Sequence, residues 1–599
     1  MKKILILAMM LLLVATVSAE QGHMKLLAVQ ETDDGYKGSP ADLYLEIIPG
    51  TGRIFLETFP LLKIDTQIST RFAKEIVCDY LNIDCDNHDF IYTITAESAI
   101  IGGPSAGAAI AMLTIAMLED IEINENIVIT GTINSGGIVG SVGGIKEKID
   151  AAGENGISIV IIPEGERFVM ENVINGTNQT VRNETDLYEY GKEKNVRVIE
   201  AANLDDVMYI FTGKIKEKKS GKLVIDKGYE TTMRQLAVDL CDRSKKLKKG
   251  LAYEKDEEFN STLKFALNLT EKGDIAFEDK RYYSSASYCF GANVKLSYLF
   301  ILSQNLTKEE FSDKISVMED NIDDFNRVMN KKKIKTITDL EAFMVVKERL
   351  IEASDELSAA LDDINKNNTE AGFYKSAYAS ERVHSAYSWF SFFDNRGKRI
   401  NFNKDSLKTL CQNKLKEAEE RYQYVNSFIP QERVDTKKEI TLAYQDLING
   451  NYELCLFKAS KSKAESDVIL SAMYAGDEKV RDVINQKLDV AKKTIIEQIR
   501  KGGFPILGYS YYEYANTLNA TDKYSSLLYS EYAMELSNLD LYFKDKRKVY
   551  NYKLNKEVIA YFIGGIVIGF FAAVIFKRDK KKRRNPSRTR KRALLGKKR

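Results

Sequence analysis

IGGPSAG, which spans residues 101–107, places one serine, Ser105, at a glycine-rich bend. The run FIYTITAES before the bend is rich in apolar and β-branched residues, and the run SAGAAIAMLTIAML that follows is rich in alanine. These patterns predict a strand before the bend and a helix after it. Ser105 is therefore expected at the point where a strand turns into a small-residue helix.

Histidine is scarce in the chain, which limits the groups that could activate Ser105. The bend matches G-x-S-x-G, the nucleophile pattern of α/β-hydrolases, but those enzymes need a histidine downstream in the same domain. Of the 3 histidines, His23 and His88 precede the serine, and His384 lies far beyond it in a region of different composition. A histidine-based hydrolase is therefore disfavoured.

Other motifs are missing from the printed sequence. The 3 histidines and 6 cysteines show no CxxC or HExxH spacing, so the sequence predicts no metal site. No GxxxxGK[ST] pattern occurs, so it predicts no P-loop ATPase. We therefore expect chemistry by side chains alone, without a cofactor.

A second glycine-rich bend, SVGGIKEKIDAAGENG from Ser141 onward, offers lysine as the base. Lys146 and Lys148 fall in the first turn of a predicted helix that Gly143 and Gly144 precede. Burial disfavours the charged ammonium and can lower the pKa of a lysine by roughly 3–5 units. The positive end of the helix dipole acts in the same direction. Either lysine could serve as the base.

The helix that begins near Ser105 supplies a third element of the chemistry. Its first backbone N–H groups have no partner within the helix and could hold a tetrahedral oxyanion. Each feature alone has a more ordinary interpretation: a serine before a helix is usually an N-cap, and a lysine in a first turn is usually solvated. The combination of both bends in one segment favours catalysis.

The segments GGPSAG, VITG, VGSVGGIKEKIDAA and IVIIPE occur in the same order as in the proteolytic domain of Lon proteases, which this part of the chain resembles. The resemblance spans roughly residues 24–212 and is strongest over residues 102–164. It implies an α/β proteolytic domain in which Ser105 is the nucleophile. It also implies that Lys148, the second lysine of the K-E-K pair, is the base.

Three further residues receive supporting roles from this resemblance. Thr130, in VITG, matches a threonine that helps to orient the lysine, and Gly103 and Lys146 neighbour the two catalytic positions. The chain departs from the family pattern where Gly102 replaces an acidic residue and Thr132 replaces a glutamate. The ATPase ring module is also missing, so the plan looks like a small archaeal group of secreted or membrane-anchored Lon-like proteins.

The rest of residues 24–212 mixes strand and helix patterns, which predicts an α/β domain. LYLEIIPGTGRIFLETF reads as a hairpin around residues 49–52, and TRFAKEIVCDYLNI reads as an amphipathic helix. Cys78 and Cys85 are close enough in sequence to pair, although spacing alone does not fix disulfide connectivity.

Residues 228–550 carry Lys- and Glu-rich helical patterns. Four similar segments place Tyr283, Tyr374, Tyr452 and Tyr524 three residues before a small or apolar residue. This predicts an all-α region, either an irregular bundle or hairpins similar to tetratricopeptide repeats without their regular 34-residue period.

The two ends of the chain predict export and anchoring. Residues 1–19 have the layout of a secretory signal peptide, with an uncleaved anchor as the alternative. Residues 558–576 are uncharged and long enough to span a membrane, and residues 577–599 carry 14 Lys and Arg against one acidic residue. A basic flank of this kind indicates the cytoplasmic side; a nucleic-acid patch explains its position less well.

The expected fold class is therefore an α/β Lon-type proteolytic domain, then an all-α region, then one C-terminal transmembrane helix. The expected function is a membrane-anchored, extracytoplasmic, ATP-independent serine endopeptidase with a Ser-Lys dyad, a homo-oligomer that acts on protein or peptide segments and binds no nucleic acid. A non-catalytic Lon-like ring scaffold whose helical region recruits partners is the alternative. Self-processing by the dyad is a third possibility.

Overall fold

The computed structural model describes residues 21–537 together with the single residues 539, 564 and 569. The gaps within this range are residues 33–34, 63, 82, 102–103, 141, 175–179, 214–221, 252–256, 394–396, 398, 400–403, 429–433 and 538. The described residues from 21 to 539 belong to one compact unit, to which the description below is confined.

The N-terminal part of this unit contains all the described strands. They are β1 (Gln21–Thr32), β2 (Gly35–Pro49), β3 (Ile54–Leu62), β4 (His88–Ile101), β5 (Ile127–Ile129), β6 (Thr132–Asn134), β7 (Ile138–Gly140), β8 (Ile159–Pro163), β9 (Phe168–Ile174), β10 (Thr180–Asp186) and β11 (Arg197–Ala201). Its helices are α1 (Ile64–Leu81), α2 (Gly107–Glu119), α3 (Ile145–Glu154), α4 (Leu187–Glu193) and α5 (Leu204–Thr212). Short helical turns lie at Cys85–Asn87, Pro104–Ala106 and Ser135–Gly137.

The largest sheet has the strand order β1-β2-β4-β3. Strand β4 pairs antiparallel with β2 and parallel with β3, so it separates the two strands that the sequence predicts as a hairpin. The predicted hairpin pairing of β2 with β3 is therefore wrong, although both strands exist. The physical reason is Asp89 on β4, whose carboxylate accepts hydrogen bonds from the backbone N–H groups of Thr51 (2.7 Å) and Arg53 (2.9 Å) and thereby ties the turn to β4.

Two layers of helix and sheet form the core of this part. Helices α1 and α2 pack with the four-stranded sheet in a cluster that includes Phe72, Phe90 and Ile110. Helix α2 is buried from Gly107 to Ala116, because its alanines and glycine allow close packing on all sides. A three-stranded parallel sheet, β11-β8-β5, packs with α3 and α4 in a second cluster. These layers bring the ends of β4 and β5 to the start of α2.

The remainder of the described unit is helical. Its helices are α6 (Lys227–Gly250), α7 (Glu257–Glu278), α8 (Tyr282–Leu302), α9 (Lys308–Lys331), α10 (Ile337–Asn365), α11 (Thr369–Phe390), α12 (Lys404–Phe428), α13 (Val434–Asn449), α14 (Tyr452–Arg500), α15 (Ile506–Leu518) and α16 (Lys523–Leu536). We call these eleven helices the helical region. Helix α14 alone has 49 residues, so the helices do not share one repeat length.

The recurring tyrosine pattern marks helix starts in the helical region. Its four members lie within the first two turns of α8, α11, α14 and α16. The small or apolar residue three positions later is buried in every case; these residues are Ala286, Ala377, Cys455 and Leu527. The pattern therefore reports a buried position near the start of a helix and does not require a solenoid.

The six cysteines form three disulfides: Cys78–Cys85, Cys241–Cys289 and Cys411–Cys455. The first joins α1 to the turn before β4, and the other two join pairs of helices in the helical region. Disulfides of this kind persist in oxidising surroundings.

The predicted C-terminal transmembrane helix requires a correction. Across the described residues, no helix is long and apolar enough to cross a membrane; even α14, the longest, carries charged residues throughout. On this finding the single-pass element of the predicted fold class is wrong, and so is the membrane localisation that depended on it. The signal peptide (1–19), the segment 558–576 except for two glycines, and the basic tail (577–599) lie outside the described residues.

The disulfides differ in the length of chain that they close, which makes their contributions to stability separable. Loop-closure entropy assigns about 4 kcal/mol to a separation of 48 residues, as in Cys241–Cys289, and about 2 kcal/mol to a separation of 7, as in Cys78–Cys85. Replacing both cysteines of the longer loop by serine should therefore lower the thermal unfolding midpoint more than the same change in the shorter loop. Calorimetry of the two double variants checks this, and equal losses would contradict it.

Candidate active site

Ser105 lies in the short turn Pro104–Ala106, between the end of β4 and the start of α2. Its backbone carbonyl accepts a hydrogen bond from the N–H of Gly131 (2.9 Å), and the carbonyl of Gly131 accepts one from the N–H of Ala108 (3.0 Å). The Ser105 turn is thus clamped to Gly131 on both sides. The serine itself is partly exposed, so a substrate can reach it.

Gly131 has a steric reason to be glycine. A Cβ atom built there would lie 2.5 Å from Cγ1 of Val139 on β7, which is closer than real carbon contacts allow. A larger residue would push the two chain segments apart. The close approach of this segment to β7 therefore depends on Gly131.

Lys148 lies on α3 with only 2% of its surface exposed. Its Nζ atom donates hydrogen bonds to Oγ1 of Thr130 (2.9 Å) and to the carbonyl of Gly143 (3.1 Å). Helix α3 can begin here because Gly144 adopts the left-handed conformation (φ 69°), which glycine reaches at little cost. The turn before the helix therefore aims Lys148 inward.

Burial sets the protonation of Lys148. Loss of solvation lowers its pKa from 10.5 to about 8, while the neighbouring carboxylate of Glu147 acts in the opposite direction. The neutral amine is therefore accessible near physiological pH, which an exposed lysine does not offer. A neutral lysine can act as a general base.

Thr130 and Gly131 join the two halves of the site. The Thr130 hydroxyl binds the ammonium of Lys148, and the next residue, Gly131, holds the turn that carries Ser105. The Thr130 N–H donates to the carbonyl of Ile161 on β8 (3.0 Å), which anchors the pair to the parallel sheet. Two consecutive residues thus bring Lys148 and Ser105 to one locality, although the hydrogen bonds of Lys148 Nζ go to Thr130 and Gly143 and not to Ser105.

The other predicted site residues are placed differently. The ammonium of Lys146 lies 5.2 Å from the ring centroid of Tyr190 on α4, whereas Lys148 turns toward Thr130. The structure thus separates the two lysines that the helix pattern alone leaves equivalent. Gly103 lies outside the described residues.

Sequence reasoning missed two contributors to this site. Gly131 clamps the serine turn and the Gly143 carbonyl holds Lys148, and neither role has a sequence signal beyond the presence of glycine. Near the site, the hydroxyl of Thr132, a residue that departs from the family pattern, is buried without a hydrogen-bond partner among the described residues. Such a group is unusual in a protein interior, and it lies two residues from Thr130.

A family model covers the segment that contains Ser105, Thr130 and Lys148. Residues 66–200 match the Lon protease (S16) C-terminal proteolytic domain. This range falls inside the region that the sequence resemblance indicated and supports a serine peptidase. After this similarity, the part of the chain from β1 to α5 is called the Lon-type proteolytic domain below.

Lon proteases from several organisms match part of the chain. The Lon protease of Fervidobacterium nodosum is 32% identical over 135 residues, which cover 22% of this chain and 17% of the relative. That of Neorickettsia sennetsu is 38% identical over 146 residues, 23% of this chain and 17% of the relative. The archaeal Lon protease of Methanocaldococcus jannaschii is 37% identical over 110 residues, 17% of each chain. The chain thus spans about a sixth of the length of these relatives.

The depressed pKa of Lys148 makes a prediction about stability. Between about pH 8 and pH 10.5 the unfolded chain holds this proton and the folded chain does not, so stability must rise with pH across this window. Relative to Lys148→Met, the wild-type protein should gain about 3 kcal/mol as the pH rises from about 8 to about 10.5.

Thermal unfolding of both proteins at closely spaced pH values checks this difference. Lys146→Met is the matched control, since it removes a lysine from the same helical turn but not from the protein interior. A difference between wild type and Lys148→Met that stays constant with pH would contradict the prediction.

Proposed function

We propose that this protein is a serine endopeptidase in which Ser105 is the nucleophile and Lys148 is the general base. The observation that carries the proposal is the buried Lys148 ammonium bound to Thr130, next to the residue that clamps the Ser105 turn. The match of residues 66–200 to a Lon proteolytic domain supports the same reaction class.

In the first half of the reaction, the neutral Nζ of Lys148 takes the proton of the Ser105 hydroxyl while Oγ attacks the peptide carbonyl carbon. The resulting oxyanion is held by backbone N–H groups in the first turn of α2. The N–H of Ala108 is not among them because it donates to Gly131. When the intermediate collapses, the C–N bond breaks and the Lys148 ammonium returns its proton to the leaving amine.

In the second half, water replaces the amine. Neutral Lys148 takes a proton from the water, the hydroxide oxygen attacks the acyl carbon, and the bond to Ser105 Oγ breaks. The proton then returns from Lys148 to the serine. Lys148 is therefore unchanged after one turnover, and no cofactor enters any step. Thr130 acts throughout by fixing the direction of the Nζ atom.

The proposed substrates are unfolded or flexible protein segments, cut without ATP. A serine attack requires an extended peptide that reaches the partly exposed Ser105. The printed sequence contains no P-loop pattern, and without a coupled unfolding motor only segments that are already extended reach the partly exposed Ser105 beside the buried Lys148. The homo-oligomer expected from the resemblance stays a prediction, which mass photometry of the purified protein tests.

The dyad makes a direct prediction for three variants. Ser105→Ala and Lys148→Met should each reduce cleavage of unfolded, fluorescently labelled casein by at least about a thousandfold, because they remove the nucleophile and its base. Lys146→Ala should retain wild-type activity and is the matched control. All assays are run with and without ATP. Equal cleavage by wild type and Ser105→Ala would refute the peptidase function and favour the non-catalytic scaffold.

The rate should also follow the protonation of Lys148. Since only the neutral amine accepts a proton, kcat/KM should rise with pH through a midpoint near 8. Glu147 raises the pKa of Lys148, so Glu147→Gln should shift this midpoint to lower pH. Glu154→Gln, at the other end of α3, is the control that should leave it in place. A midpoint that does not move in Glu147→Gln would contradict this assignment of the base.

A further inference from the structure

The helical region contacts the Lon-type proteolytic domain next to the Ser105 turn. Helix α12 packs on α1, and Arg421 of α12 lies in this contact. Its guanidinium lies over the ring of Phe72, with Nη2 3.8 Å from the carboxyl group of Glu75, whose pKa is raised well above its usual value by burial. Its Nε atom lies 2.9 Å from the carboxylate of Asp467 on α14. Arg421 therefore joins α1 to two helices of the helical region.

Helix α1 in turn contacts the catalytic segment. It packs against the turn Pro104–Ala106 and against β6. The fit is tight, because a Cβ atom built on Gly107 would lie 2.9 Å from Oγ of Ser69 on α1. One face of α1 thus lies against the Ser105 turn, while Phe72 and Glu75 meet Arg421. A displacement of α1 would move the serine.

A second contact reaches the other half of the site. The turn Ser135–Gly137 joins β6 to β7 and packs against α14 and α16. Gly136 has φ 75°, and a Cβ atom on it would lie 2.8 Å from Cγ1 of Val490 and 3.1 Å from Sδ of Met534. Strand β6 follows Gly131 directly, so the helical region also borders the segment that clamps Ser105.

Buried charged side chains, which are unusual in a protein interior, lie beside the contact between α12 and α1. Lys414 and Lys463 are buried and pair with Glu535 and Glu417, and Asp467 lies beside Arg421. Buried ion pairs contribute little net stability compared with apolar packing, but their directional geometry can fix one arrangement of helices. Arg421 presents a rigid planar face to Phe72, although its Nε and Nη2 atoms make no hydrogen bond among the described residues. These buried charges therefore fix the relative positions of the helices and add little to the stability of the protein.

We propose that the helical region is a positioning element of the serine site and that Arg421 is its positioning residue. By holding Phe72 and Glu75, Arg421 keeps α1 pressed against the Ser105 turn and keeps that turn on Gly131. Arg421 touches no reacting atom and acts through α1. The proposal rests on the peptidase function proposed above, since the site that it positions is the Ser105–Lys148 site.

The test uses the full chain and two readouts. Hydrogen exchange at the amides of Gly131 and Ala108 reports the clamp on the Ser105 turn, because both amides donate hydrogen bonds within it. Casein cleavage gives kcat and KM. Arg421→Gln removes the charge, and Arg421→Lys keeps the charge but loses the planar fork. Arg327→Gln is the matched control, since Arg327 pairs with Asp324 on the exposed surface.

The second contact has its own variant. Gly136→Ala introduces a methyl group toward Val490, and Gly450→Ala is the matched control, because Gly450 has a similar φ of 78° with no atom within 4 Å of the added carbon. The backbone strain is then alike, and the two variants differ in the contact with the helical region.

For Arg421→Gln we expect exchange at Gly131 and Ala108 to accelerate by about tenfold. We expect kcat to fall by about 10- to 100-fold, with KM changed by less than about twofold. Arg421→Lys should show the same pattern to a smaller degree and decides the test if Arg421→Gln does not fold. Gly136→Ala should accelerate the same amides, and Arg327→Gln and Gly450→Ala should match the wild type.

Unchanged exchange and kcat in a folded Arg421 variant would overturn the inference. So would a loss of global stability with no preferential effect on Gly131 and Ala108. If the wild type shows no Ser105-dependent cleavage, the peptidase function fails, and hydrogen exchange alone decides the coupling. Faster exchange at the two amides then supports a positioning contact, and unchanged exchange refutes it.

Discussion

The hydrogen bond from Lys148 to Thr130 is the interaction on which the site depends. A lysine with 2% exposure is costly to bury, and the hydroxyl of Thr130 with the carbonyl of Gly143 supplies the acceptors that make burial tolerable. The same acceptors fix the direction of Nζ. Gly131, which binds the serine turn, directly follows Thr130, which binds the lysine. One short segment at the end of β5 therefore positions both Lys148 and Ser105.

The buried charges of the helical region are likewise paired with partners that fix their positions. Burial alone would raise the pKa of Glu535, yet Lys414 and Lys463 lower it to about 2, so this carboxylate stays ionised inside the protein. Three charged groups that must meet with the correct geometry tolerate few alternative helix arrangements. The helical region is thereby held in one arrangement beside the proteolytic domain.

Local sequence patterns predicted much of the fold and of the candidate site. The bend at Ser105, the start of α3 and the buried strand β8 all follow from glycine placement and apolar periodicity, which act over a few residues. The pairing of β4 between β2 and β3 did not follow, because Asp89 fastens a turn that lies far from it in sequence. The contact of Arg421 with Phe72 was equally inaccessible, since long-range partners leave no local signal. Lys148 and Lys146 could be separated only by a resemblance until their burial was known.

The distance along the chain between Phe72 and Arg421 has a consequence for biosynthesis. The Lon-type proteolytic domain emerges from the ribosome first, whereas the helix that packs on α1 follows roughly 350 residues later, on the order of a minute at ordinary elongation rates. Through that interval the nascent chain is itself extended and cleavable. If the serine turn reaches its working position only after the later helices have folded, as we propose, the order of synthesis would delay activity and spare the polypeptide that carries the site.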